Sequence, residues 1–201
     1  MNGSEISLVQ LALALCVGIS LSAACGFRVF VPLLAAAVGI RCTGLVVNEH
    51  LAWLGSNSAL VCLGVATVVE ILAYYIPWLD HALDSISAPL AMAAGAVITA
   101  GLLPDMPDFA RWGIGIVAGA GTAGTVQLGS STARGASFAA TGGLGNGIVA
   151  TGENVLSVVG SVLALLAPVV AVIGALLVVG LAGWVLLKLW RKVRGRRVVN
   201  V

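Results

Sequence analysis

Residues 8–40, LVQLALALCVGISLSAACGFRVFVPLLAAAVGI, decide the fold class. The run carries a single charge, Arg28, and is interrupted by Gly26 and Pro32. A helix needs roughly 20 apolar residues to cross a bilayer. The run is therefore too long for one span and too short for two with a turn. The economical reading is a span from Leu8 to about Ala24, a break, and a shorter helix ending near Ile40. Pro32 fits the first turn of that second helix, where its missing N–H costs nothing.

The rest of the chain repeats this character. Of 201 residues, 60% are hydrophobic and 9% charged, against roughly 25% charged in an average soluble domain. That is too little charge to cover a soluble surface. Glycine is abundant, at 26 residues, which suits lipid, where small residues let helices approach closely. Further spans are expected at Asn57–Ile76, Ala88–Leu103, Trp112–Leu128 and, broken at Ala167-Pro168, twice within Ile148–Trp190. Pro77–Ser87 reads as a polar connector, and Gly129–Gly147 as a flexible segment rather than a helix. Trp53, Trp78, Trp112 and Trp190 lie near these span ends, matching the aromatic belt of membrane proteins.

Pro104-Asp105-Met106-Pro107-Asp108 divides the chain into two similar parts, pseudo-repeats 8–103 and 112–190 of one membrane domain, 1–190. Each part opens with small residues at every fourth position (Ala14, Gly18, Ser22, Gly26, then Gly115, Gly119, Ala123). Each continues with one arginine, Arg28 or Arg134, and one glutamate in apolar sequence, Glu70 or Glu153. Each closes on an Ala-Pro helix, from Ala88 or Ala167. Three spans per part would make the parts antiparallel, the inverted-repeat plan of many transporters. The expected fold is all-α and integral to the membrane: about six transmembrane helices with one or two re-entrant or broken half-helices, as two inverted three-span repeats.

Six of the ten basic residues lie in the last fourteen positions. The positive-inside rule makes this tail (191–201) cytoplasmic, and six spans put both termini there. Lys188, Arg191, Lys192 and Arg194 could also bind anionic lipid headgroups. With no soluble module beside the tail, nucleic acid is not an expected partner. The lipid bilayer is, and a homo-oligomer could form.

Buried ionisable residues are the candidate site. Arginine at the centre of a membrane costs about 2.5–3.5 kcal/mol on insertion scales, so it persists only facing water or protein, or paired. Arg28 and Arg134 could form an anion-attracting centre with Glu70, Glu153, the broken backbone at Gly26, and Asn146 in the glycine-rich segment. The bland alternative is structural pairing, Arg28 with Glu70 or Arg134 with Glu153. Asp80-His81-x-x-Asp84 has too few ligands for a metal and reads as an interfacial turn. Cys16, Cys25, Cys42 and Cys62 form no CxxC pair and read as packing residues. No P-loop, GxSxG or HExxH is present, so neither catalysis nor a cofactor is expected.

Two stretches resemble an uncharacterised bacterial membrane family known as the domain of unknown function 4126. They are Gly18–Ala24 running into Gly26-Phe27-Arg28-Val29-Phe30-Val31-Pro32, and Thr141–Asn146 followed by Glu153. The resemblance covers roughly residues 10–190. It implies a multi-pass protein of the bacterial inner membrane and assigns no activity. Gly147 departs from the proline expected there. Three functions remain in view: a small inverted-repeat transporter or channel-like protein for an ion or small anionic solute, a non-transporting scaffold, and a membrane-embedded enzyme acting on lipids.

Overall fold

The computed structural model describes residues 7–198, and within them all side chains except those at 77, 78, 80–82, 84 and 192–198. The described chain is helical: α1 (Leu8–Cys25), α2 (Phe30–Cys42), α3 (Asn57–Ala73), α4 (Pro77–Leu102), α5 (Asp108–Ile114), α6 (Gly121–Thr141), α7 (Asn146–Leu166) and α8 (Pro168–Val198). A π-helical turn, Gly115–Ala120, joins α5 to α6 without a bend out of helical geometry. Among the described residues, four helices are long and apolar enough to cross a membrane: Leu8–Cys25, Ser85–Leu102, Asn146–Leu166 and Pro168–Arg191. Phe30–Cys42 and Asn57–Ala73 are shorter apolar helices.

Contacts fix the direction of each helix. Gly18 of α1 lies against Thr99 of α4, and Ser22 donates to the Gly95 carbonyl (3.0 Å), so these two helices run antiparallel. Gly115 meets Ala96 and Ala100, while Gly124 meets Met92, so the α5–α6 rod is also antiparallel to α4. α1 and the α5–α6 rod therefore flank α4 and point the same way. α7 returns beside α1 and α2, with Ser157 bonded to Ala24 and Gly39 against Leu165. α8 then follows the direction of α6, with Gly129 against Ala182.

The small residues of α1 and of the π turn are what allow this packing. A Cβ added at Gly119 would stand 2.6 Å from the Thr99 hydroxyl, in steric conflict, and would press into the Gly95 carbonyl. Ser22 also shares a hydrogen bond with Thr99 (2.9 Å), closing the α1–α4 contact with polar groups instead of leaving them unpaired in lipid. The core beneath is made of modest side chains, Leu21, Cys25, Ala36, Ala91, Ile98 and Ala123 among them.

Three expectations need correction. Pro77–Ser87 is helical and belongs to α4, because Pro77 is a favourable first residue and the helix runs on through Pro89 to Leu102. Gly129–Thr141 continues α6. The chain turns only at 142–145, where Gly142 takes the left-handed conformation (φ 63°) typical of a helix end. Finally, the two ends of the described chain do not lie on one side, as six spans would place them, because α2 doubles back antiparallel to α1. The Leu8 end of α1 and the Lys188 end of α8 consequently lie at opposite ends of the bundle.

Candidate functional site

The break between α1 and α2 leaves N–H groups without helical partners. Those of Gly26, Phe27 and Arg28 bond to carbonyls of the last turn of α1. Those of Val29 and Phe30 bond to the two oxygens of Glu70, at 2.7 and 3.0 Å. Glu70 is thus a remote cap for α2, an acid at a helix N-terminus where the dipole favours it. This is the role for which α3 carries a buried carboxylate. Glu70 is not ion-paired to Arg28, as sequence reasoning allowed.

Arg28 is instead paired with Glu153 of α7. Its Nη1 donates to Glu153 Oε2 at 2.8 Å and to the Phe27 carbonyl at 2.8 Å. Nε donates to Asn154 Oδ1 at 2.6 Å, and Nη2 to the Ala150 carbonyl at 3.2 Å. All three nitrogens are therefore satisfied. Asn154 is itself oriented by its amide donating to the Tyr75 hydroxyl, at 3.3 Å.

Arg134 of α6 donates to the same oxygen, Glu153 Oε2, at 2.5 Å. Ser130, one turn earlier on α6, donates to the other oxygen, Oε1. One carboxylate is therefore shared by two guanidinium groups. Tyr74 completes the cluster, its ring centroid 3.8 Å from the Arg28 guanidinium carbon and 4.8 Å from that of Arg134. Such cation–π contacts strengthen when water is excluded. Water is excluded here: the side chains of Arg28, Arg134 and Glu153 are 0%, 2% and 5% exposed.

The cluster is not at mid-span. Glu153 is seven residues into α7 and Arg134 seven before the end of α6, so both lie about 10 Å from the 142–145 turn at 1.5 Å per residue. The charges sit nearer the end of the bundle that carries the basic tail.

The structure brings together Arg28, Arg134 and Glu153, with Glu70 beside them on the α2 N-terminus. Gly26 contributes packing: a Cβ there would come 2.5 Å from that of Val126 on α6. Asn146 stands apart at the start of α7, its N–H bonded to the Gly143 carbonyl. Arg134 lies in regular helix, not in a break as its glycine-rich surroundings suggested. Lys188 is exposed and stacks on Trp184 at 4.8 Å, and Arg191 is exposed. The side chains of Lys192 and Arg194, and of Asp80, His81 and Asp84, lie outside the described residues. Sequence reasoning missed Ser130, Asn154 and Tyr74. Spacing held the clue: Ser130 is one turn before Arg134, Tyr74 one turn after Glu70.

A second feature adjoins the cluster. α3 and α4, although consecutive, stand apart and enclose a cavity of about 870 Å³. Tyr74 belongs to both features, its ring against the guanidinium groups and its side chain among the residues lining the cavity. Its hydroxyl is 2.7 Å from Ser87, which in turn donates to the Leu83 carbonyl at 2.6 Å. Among the described residues no group of three or more His, Cys, Asp or Glu could hold a metal ion.

No curated protein and no solved structure shows significant similarity to the chain. A family description does match: Domain of unknown function (DUF4126), over residues 15–188. The match takes in every residue of the charged cluster and the helices that hold it, and the chain belongs to the DUF4126 family.

Proposed function

We propose that the chain is a small membrane transport protein for an ion or small anionic solute, working through the Arg28–Arg134–Glu153 centre. The observation that carries this reading is the sharing of one carboxylate oxygen by two buried guanidinium groups. Two cations share one acceptor oxygen, and an anion could take over one arginine from Glu153. The basic tail supports a cytoplasmic C-terminus in a bacterial inner membrane, with the Leu8 end of α1 outside. Anionic headgroups would then meet Lys188 and Arg191. One membrane domain, 1–190, with its tail is in keeping with the family match.

An inverted repeat, in reduced form, is part of this proposal. α3 and α7, the glutamate helices, run oppositely, as do α4 and α8. α1 and the α5–α6 rod run in parallel, so an inverted relation would embrace the glutamate and Ala-Pro helices but not the small-residue helices. Pro89 also lies inside α4 whereas Pro168 opens α8.

The test is flux in proteoliposomes, with chloride, nitrate and phosphate as probes and potassium as control. Anion flux above protein-free vesicles, lost in Arg134→Lys while the protein stays monodisperse, is expected. No anion flux in the native protein would overturn the reading. A second reading, a non-transporting scaffold clamped by its charges, is favoured by the completeness of the pairing: each Arg28 nitrogen has a partner in a site closed to water. The lipid-enzyme reading draws no support from a described residue.

A further inference from the structure

The cavity between α3 and α4 has two walls that face each other without meeting. Val61, Val65 and Val69 present one apolar stripe on α3, at the three- and four-residue spacing of a helix face. Leu83, Ile86 and Leu90 present the other on α4. The three valines are 59–69% exposed and Ile86 is 51% exposed. Both helices lie in the apolar zone, since α3 is an apolar helix and the span of α4 starts at Ser85. A gap at that depth is continuous with the hydrocarbon of the bilayer, which fills an apolar space that water leaves empty. Its volume lies within the range of small-molecule sites.

The polar groups are unevenly placed. Glu70, Tyr74 and Ser87 gather at the end beside the charged cluster, while Asn57 and Ser58 lie at the far end of α3. Among the described residues, Glu70 is the only ionisable acid or base lining the space apart from the Cys62 thiol and the Tyr74 phenol, and no described lysine or arginine lines it. Each Glu70 oxygen accepts one described backbone hydrogen bond, so acceptor capacity remains. Arg28 and Arg134 do not line the space, and Tyr74, which does, lies against both guanidinium groups.

We propose that this cavity is a lateral binding site for a single-chain amphiphile, its hydrocarbon tail between α3 and α4 and a hydrogen-bond-donating head, hydroxyl or ammonium, at Glu70, Tyr74 and Ser87. A carboxylate facing the head repels phosphate and welcomes donors. The site adjoins the anion centre at Tyr74 but is lined by neither arginine, and it stands whether or not that centre transports.

Three probes with one oleoyl or oleyl chain test it: monoolein, oleylamine and oleoyl lysophosphatidic acid. Each is titrated into the purified full chain and bound copies are counted by native mass spectrometry. Saturable binding of one copy of monoolein or oleylamine is expected. It should be about tenfold tighter than for the phosphate probe, the worth of one charge-assisted hydrogen bond. Ala66→Phe, which fills the cavity wall, should abolish that copy, and Val155→Phe on exposed α7 should not. Glu70→Gln should erase the preference for oleylamine over the phosphate probe; should Ala66→Phe fail to fold, this variant decides alone. Equal affinity for all three heads, non-saturating adsorption, or retained binding in a folded Ala66→Phe protein would overturn the proposal.

Discussion

Replacing Glu153 by glutamine removes one charge and keeps the shape of the side chain. In the native cluster Oε2 accepts from Arg28 at 2.8 Å and from Arg134 at 2.5 Å. Ser130 occupies Oε1. Glutamine can keep an oxygen at the Oε2 position and turn its amide nitrogen to the Ser130 hydroxyl, so both arginine bonds can persist and what is lost is the charge. Both cations would then share the Tyr74 ring without the Glu153 charge between them. Breaking a buried ion pair by removing one partner costs about 3–5 kcal/mol, because the remaining charge stays desolvated. For a chain of this length, 1 kcal/mol moves the midpoint by roughly 2–4 °C, so Glu153→Gln should lower Tm by roughly 6–20 °C. The assay is thermal unfolding of the purified protein in a mild detergent. Because the pair is dry, added salt should leave the loss unchanged. Replacing the whole triad with Arg28→Met, Arg134→Met and Glu153→Leu should restore much of the stability, since an apolar substitute avoids the desolvation cost. A Glu153→Gln loss below about 1 kcal/mol, the range of exposed pairs, would refute the reasoning and show that water reaches the cluster.

Two other outcomes follow from the same contacts. Glu70→Ala removes the acceptor for the Val29 and Phe30 N–H groups and should cost about 1–3 kcal/mol, since two buried donors lose their bonds; hydrogen exchange in the first turn of α2 should quicken while that in α4 does not. Single cysteines placed at Leu8 and at Lys188 in a cysteine-free background should label from opposite sides of sealed vesicles, and labelling from one side would contradict the fold-back of α2.

Much of the fold was legible because a bilayer reads sequence coarsely. Apolar length gave α1, α3 and α7 to within a few residues, and Gly26 marked the α1–α2 break. Length and composition failed where glycine and serine mask a helix, as across 129–141. They failed again at 77–87, where polar residues extend a helix beyond its apolar part. The direction of α2 could not be read either, because it depends on a cap, Glu70, forty residues away in sequence from Phe30. Arg28, Arg134, Glu70 and Glu153 stood out as charges in apolar sequence. The Arg134–Glu153 pair was legible too, but the partner of Arg28 was not, since the choice of Glu153 over Glu70 is made by the packing of α7 on α1. Ser130, Asn154 and Tyr74 are ordinary residues in sequence and become members of the cluster only through helix faces.

The shared carboxylate also has a bearing on biogenesis. Arg134 and Glu153 are 19 residues apart, so the α6–α7 hairpin can enter the membrane with its charge already compensated. Arg28 is separated from the same carboxylate by 125 residues. At the usual pace of protein synthesis that separation is a delay of roughly 6–25 s. The first hairpin therefore emerges from the ribosome with a guanidinium whose counter-ion has yet to be made. It must wait at the headgroup level, or in the shelter of the insertion machinery, until α7 arrives. The arrival of one late glutamate is then the event that lets the earliest helices settle.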